Sequence, residues 1–334
     1  MTLPPPVTTP ARPAIILLLP GVGAAAVAVV LGLVVNRFLP ALSPAVVAVA
    51  AGAALANLGG VRDSLRPGLR FVSRTVLRTA IVLLGLQIAL PQVLALGWQA
   101  LAIVALATGV TFALTPLLGR RLGVPEGTSL LIATGVSICG AAAIAAMHES
   151  ADSDDDDVAN GLSVVVLYGS AAILLLPLLA SWFGLSAQQL GVWAGASVHE
   201  VAQVAAIGAA SGAAVLAVAV TVKLARVLLL APLVALTSLR NRRTARRAGT
   251  PIMPLFVAGF LAMAALRSTG VVPAAVTDLM PQLTGILLAA ALFGLGTGVD
   301  VRALARSGGR ALALGGVATL LIGGLSLGGV ALLV

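Results

Sequence analysis

Residues 217–234 read AVAVTVKLARVLLLAPLV, the centre of an apolar run from 213 to 237. That run exceeds the ~20 residues an α-helix needs to cross a hydrocarbon core. Near its middle stand Lys223 and Arg226. Three residues apart on a helix, they lie about 60° from one another, on one face. A snorkelling cation sits within a turn or so of a span end, yet the next arginine, Arg240, lies about fourteen residues on. Two cations this deep are costly unless they meet a partner or water. Three readings stay open: they bind an anion, they pair with Glu200 as structural counter-ions, or the ends of the span lie elsewhere.

Outward from this stretch the chain is of one kind. Of 334 residues, 60% are hydrophobic and 9% charged, and the mean hydropathy is +1.11. Soluble chains carry about a quarter charged residues, so this is the composition of a polytopic helical membrane protein. The net charge of +9 reflects arginines retained in loops, not a nucleic-acid surface. No G-x-x-x-x-G-K-[ST] occurs, which excludes a phosphate-cradling ATPase loop. The single cysteine, Cys139, forbids an internal disulfide, and two histidines, His148 and His199, cannot form a three-histidine metal site. No cofactor and no metal is expected.

Hydropathy places a cytoplasmic, disordered tail at 1–13 and one transmembrane domain over 14–334. Eleven spans are expected at about 14–35, 42–58, 74–90, 98–118, 128–147, 161–182, 189–210, 213–237, 252–270, 283–299 and 311–333. With the N-terminus inside, the basic loops at Arg62–Arg70, Arg120–Arg121, Arg240–Arg247 and Arg302–Arg310 all fall on the cytoplasmic side. The acidic stretch 148–160 falls outside, as does the C-terminus. Eleven divides into one leading helix plus a 5+5 inverted repeat, with halves at about 42–182 and 189–334. An odd-numbered unit repeated in tandem inserts upside down the second time. Two fragment pairs resemble each other, 83–96 with 292–305 and 134–146 with 194–206, and both cannot belong to one collinear repeat.

The fifth span holds TGVSICGAAAIAAM (134–147), with Ser137, Cys139 and Gly140 close together. Glycine weakens a helix, hydroxyls satisfy the freed backbone, and a broken helix offers a positive end to an anion. A small-residue packing face is the competing reading. Gly296 and Thr297 in the tenth span repeat the pattern at the matching place in the second half. In the seventh span, GASVHEVAQVAAIG (195–208), His199, Glu200 and Gln203 fall within about 100° on one helical face. A carboxylate near the bilayer centre costs roughly 2.5–3.5 kcal/mol, so it faces protein or water. Histidine titrates ordinarily at about 6.5, so His199 with Glu200 forms a candidate proton-coupling pair. The bland reading is a Glu200 at the membrane edge or paired with a base.

The stretches TGVSICGAAAIAA (134–146), GASVHEVAQV (195–204), VKLARVLLLAPLV (222–234) and LFGLGTGVDVRAL (292–304) together resemble the YeiH-like family of bacterial membrane proteins, the sulfate-exporter family. The likeness runs in order from about residue 40 to the C-terminus. It implies an inverted-repeat transporter with two discontinuous crossing helices, here the fifth and tenth spans. The family carries an apolar, proline-containing turn after the fifth span, where this chain has MHESADSDDDD (147–157). His148 and Glu149 are therefore left out of the expected site.

The resulting expectation is a non-enzymatic secondary transporter in the bacterial cytoplasmic membrane, exporting sulfate or a related sulfur oxyanion or sulfonate. Ser137, Cys139, Gly140, Gln203, Lys223, Arg226, Gly296 and Thr297 are expected to bind substrate, and His199 and Glu200 to couple it to protons. The expected partners are the anion and the bilayer, with a homodimer allowed and no nucleic acid. A cation/proton antiporter of similar architecture competes, but it wants a carboxylate inside a broken helix, and neither the fifth nor the tenth span has one. An intramembrane enzyme wants paired acids or a metal cluster, which Glu200 alone does not supply.

Overall fold

The computed structural model describes residues 14–39, 42–151, 153–245, 255–299 and 301–334; the tail at 1–13 lies outside them. Among these residues the fold is all-α. The helices are α1 (Ala14–Phe38), α2 (Pro44–Asn57), α3 (Arg66–Phe71), α4 (Leu77–Leu84), α5 (Leu90–Leu94), α6 (Gly97–Leu122), α7 (Glu126–Ser137) and α8 (Ala141–His148). They continue with α9 (Asp155–Phe183), α10 (Ala187–Ser197), α11 (Val201–Ser211), α12 (Ala213–Leu228), α13 (Leu230–Ala245), α14 (Leu255–Ser268), α15 (Ala274–Gly296) and α16 (Val301–Leu333). A π-helical turn at Val72–Val76 joins α3 to α4.

Among the described residues, six helices are long and apolar enough to cross a membrane: Ile16–Phe38, Gly97–Leu122, Asp155–Phe183, Ala213–Leu239, Ala274–Gly296 and Gly308–Leu333. At 1.5 Å per residue, α9 alone spans about 43 Å. Its Leu174, Leu178 and Trp182 are 71%, 67% and 81% exposed and lie on one outward face. Large apolar side chains on the outside of a packed bundle are what lipid solvates.

Two of the expected spans do not run straight through. Gly135 of α7 abuts the Ile144 side chain of α8. On one continuous helix those residues would sit about 13 Å apart along the axis. Beyond α8 the chain returns to where α7 began: Thr128 donates to the Asp157 carboxylate and Gly127 abuts the same group. The expected fifth span is therefore a re-entrant hairpin, α7–α8, alongside α9. The seventh behaves alike. Gly191 and Gly195 of α10 face Val215–Val218 and Ala219–Val222 of α12, a parallel pair, while Gly208 of α11 faces Leu216 across the Gly212 turn, an antiparallel one. So α10 and α11 also form a hairpin. Because α9 separates the two hairpins by its full length, they enter the bundle from opposite ends.

The tenth span has no mid-span interruption: α15 runs unbroken from Ala274 and ends at Gly296, with Thr297 as its cap. Its glycines serve close packing instead. A Cβ on Gly296 would strike the Val49 backbone of α2, and one on Gly294 would meet Leu69 and Val72. Small residues let helix backbones approach, which produces the same sequence signature as a break. The acidic stretch is also corrected. Arg78 pairs with Glu149 at 2.8 Å and Gly298 abuts the Asp155 carboxylate, so His148, Glu149 and Asp155 share one end of the bundle with Arg66–Arg78.

Candidate functional site

The two hairpin tips meet inside the bundle. α7 ends at Ser137, and Ile138 and Gly140 leave helical geometry, Gly140 with φ +73°. α10 ends at Ser197, and Val198 and Glu200 are extended before α11 begins. Each arm that ends here leaves carbonyls without an intrahelical partner and a partial negative charge of roughly half a unit. In a low-dielectric interior these groups must find donors.

Lys223 and Arg226 of α12 supply them. Lys223 Nζ donates to the carbonyls of Ile138, Val198 and His199 at 2.6, 2.7 and 2.5 Å. Arg226 donates through Nε to Ser137 (3.0 Å), Nη1 to Gly195 (3.1 Å) and Val198 (2.9 Å), and Nη2 to Val136 (2.6 Å). Both side chains are wholly buried. An ammonium has three donors and a guanidinium five. All of the lysine's and four of the arginine's are therefore spent on backbone oxygens. The alternative reading, a pairing with Glu200, does not form: the ion pairs among the described residues are Arg66–Asp63, Arg78–Glu149, Arg120–Glu126 and His148–Asp155.

Glu200 occupies the complementary place. It sits against Gly140, where a Cβ would come within 2.6 Å of its Cγ, and its carboxylate faces the N–H of Ala141, the first residue of α8. Ser43, which caps α2, donates to it at 3.5 Å. A carboxylate at a helix N-terminus is favourable to that partial positive charge. The Glu200 N–H donates to Gln203 Oε1 at 3.0 Å. His199, Glu200 and Gln203 thus meet at a tip and its first turn. The expected shared helical face is not formed, because the helix is interrupted between Ser197 and Val201.

His199 Nε2 lies 3.0 Å from Thr319 Oγ1 of α16, while its Nδ1 is buried without a partner. Ser137 Oγ is likewise buried and unpartnered, its carbonyl accepting from Thr108 as well as from Arg226. Cys139 is buried between the two breaks of the first tip. The structure therefore brings Ser137, Cys139, Gly140, His199, Glu200, Gln203, Lys223 and Arg226 together. It does not bring Gly296 and Thr297. Gly296 packs on α2, and Thr297 lines a separate cavity of about 620 Å³ at the basic end. Sequence reasoning missed Ser43, Thr108 and Thr319. Ser43 before Pro44 carries a helix-start signal, but nothing local links it to a residue 157 positions away.

The sequence matches the family described as conserved hypothetical protein 698 over residues 16–315. It is 40% identical to a UPF0324 membrane protein of Corynebacterium glutamicum over 315 residues, covering 93% of this chain and 91% of the relative. A UPF0324 membrane protein of Bradyrhizobium diazoefficiens is 34% identical over 294 residues, covering 86% and 84%. The UPF0324 membrane protein TauZ of Paracoccus denitrificans is 38% identical over 259 residues, covering 74% and 76%. No solved structure matches the chain.

Proposed function

The chain belongs to the YeiH-like family of conserved hypothetical protein 698, bacterial membrane proteins, and from that premise we propose that it is a secondary transporter exporting a small anion, sulfate or a related sulfur oxyanion or sulfonate. The observation that carries this reading is the meeting of two opposed re-entrant hairpins with compensated ends. Irregular backbone at membrane depth is tolerated only where protein buries it or a cavity opens on it, and secondary transporters place their substrates at such interruptions. Lys223 and Arg226 act by holding the carbonyl ends of α7 and α10, not by touching the anion. That leaves the N-terminal ends of α8 and α11, with Ser137, Cys139 and Gly140, to receive it.

The charges support an anion. Two buried cations offset two helix C-terminal ends of roughly half a negative charge each. Glu200 offsets the N-terminal ends. Protonating Glu200 would make the tips more positive by one charge and free the N–H of Ala141, which is how substrate and proton would be coupled, with His199 alongside. An inside-negative potential of 100 mV already drives a dianion outward by about 4.6 kcal/mol, so coupling tunes export and is not its only source of energy. The basic end, with Arg62–Arg78, Arg120 and Arg121, faces the cytoplasm in this reading, and the C-terminus faces out.

The test is transport in liposomes holding purified protein, with radiolabelled sulfate, sulfite, thiosulfate and short sulfonates, with and without a pH gradient. One of these anions should exchange. Glu200→Gln should keep exchange at equal pH and lose the response to an imposed gradient. A Glu200→Gln protein that still follows the gradient as wild type does would remove the coupling role, and no movement of any of these anions would remove the substrate class.

A further inference from the structure

The chain segment 66–78 carries Arg66, Arg70, Arg74 and Arg78 at steps of four. Like charges four apart on a helix repel, and cations near a helix N-terminus oppose its dipole. Such a ladder needs something to offset it. A step of four on a regular α-helix also drifts by about 40°, so four arginines would fan around the helix. The π turn at Val72–Val76 widens the winding and brings them back to one side. All four line the cavity of about 620 Å³ at the basic end, with His148, Glu149 and Asp155 opposite. Arg66 and Arg78 are paired, at 3.0 Å to Asp63 and 2.8 Å to Glu149. Asp155 lies 3.9 Å from His148. Arg70 and Arg74 have no carboxylate partner among the described residues.

Arginines that serve only to orient a membrane protein point outward to headgroups and water. These are solvent-exposed as well, but they line one shared concavity, open on one side and bounded by α8, α9 and α15. Its volume is that of about twenty liquid waters, enough for an oxyanion with part of its hydration shell. A planar guanidinium fork matches two oxygens of a tetrahedral –SO3 or –PO3 group.

We propose that this cavity is an oxyanion-binding vestibule in which Arg70 and Arg74 hold a sulfate-, sulfonate- or phosphate-type group. The vestibule concentrates anions at the cytoplasmic end before they reach the hairpin tips. That placement rests on the transport reading; binding itself does not, so the test measures equilibrium binding and uses no transport. The group can come from free solution or from a lipid headgroup, and lipid composition separates the two.

The protein is placed in nanodiscs of phosphatidylcholine alone or with phosphatidylglycerol, and its thermal unfolding is followed against sodium sulfate, with sodium chloride holding ionic strength constant. The cavity variant Arg70→Gln/Arg74→Gln is compared with Arg62→Gln/Arg121→Gln, which removes the same charge from exposed positions outside the cavity. In phosphatidylcholine, sulfate should stabilise wild type and the control pair. The apparent affinity of the cavity variant should fall about tenfold or more, and Arg70→Lys/Arg74→Lys, which keeps the charge and loses the fork, should lie between. If sulfate does nothing but phosphatidylglycerol stabilises wild type and the control pair and not the cavity variant, the oxyanion is a headgroup and the site stands. The proposal falls if neither anion stabilises wild type, if the cavity variant responds as wild type does, or if the control pair loses as much.

Discussion

Lys223 and Arg226 show how one residue's burial is read differently with and without its partners. Their depth in the bilayer is legible from spacing, and the expense of that depth demands a partner. The partner turned out to be backbone: seven hydrogen bonds to carbonyls at two helix ends. Methionine removes the charge, keeps the bulk and takes the side-chain donor from the Ile138 and His199 carbonyls at position 223, or from the Val136 and Gly195 carbonyls at position 226, each at about 1–3 kcal/mol. Lys223→Met and Arg226→Met should therefore lower the unfolding temperature sharply in detergent, and Arg226→Lys should be nearly as damaging, because an ammonium cannot reproduce four bonds from a planar fork. Adding Glu200→Gln should give no recovery. Recovery in the double variant would show that the cations answer to Glu200 after all.

The elements that matter most are the two hairpins, and the first turns on Gly140. Its φ of +73° is strained for any side chain, and a Cβ there would stand 2.6 Å from Glu200 Cγ and 2.9 Å from Val165 Cγ1. Gly184, the C-cap of α9, has a φ of +67° and open space around it. Gly184→Ala should cost only the left-handed strain, about 1–2 kcal/mol. Gly140→Ala should cost more and displace Glu200 from the start of α8, so a thermal scan should rank it below Gly184→Ala and anion exchange should be lost. Equal stability and retained exchange would mean that the tip is not held as described. Glycine spacing had suggested a break in α15 as readily as in α7. Only the surroundings separate a glycine that turns the chain from one that lets α2 lie close.

At the scale of the whole molecule, folding back two spans has a consequence for sidedness. Removing one crossing inverts everything downstream, and removing two restores it. The basic clusters therefore satisfy the charge rule equally well with or without the hairpins, and only the stretch between them changes sides. Single cysteines at Ser153, Thr244 and Ser186 in a Cys139→Ala background separate the cases. An impermeant maleimide on intact cells should label Ser186→Cys and spare both Ser153→Cys and Thr244→Cys until the membrane is opened. Labelling of Ser153→Cys in intact cells would restore the straight fifth span.

Composition by itself determined the membrane class, the all-helical fold and the absence of an ATPase loop, because transfer to lipid is a property of each segment taken alone. Motif order determined the family, and spacing singled out Ser137, Gly140, His199, Glu200, Lys223 and Arg226, which the fold gathers at the two tips. Tertiary structure decided that 128–147 and 189–210 turn back, since hydropathy records how apolar a run is and not whether it returns. It decided that Lys223 and Arg226 bind carbonyls, which have no side-chain signature to read. It also separated Gly296 and Thr297 from the tips and turned arginines that looked like an orientation signal towards one cavity, because a π turn and the packing of α8, α9 and α15 set which way a helix face points.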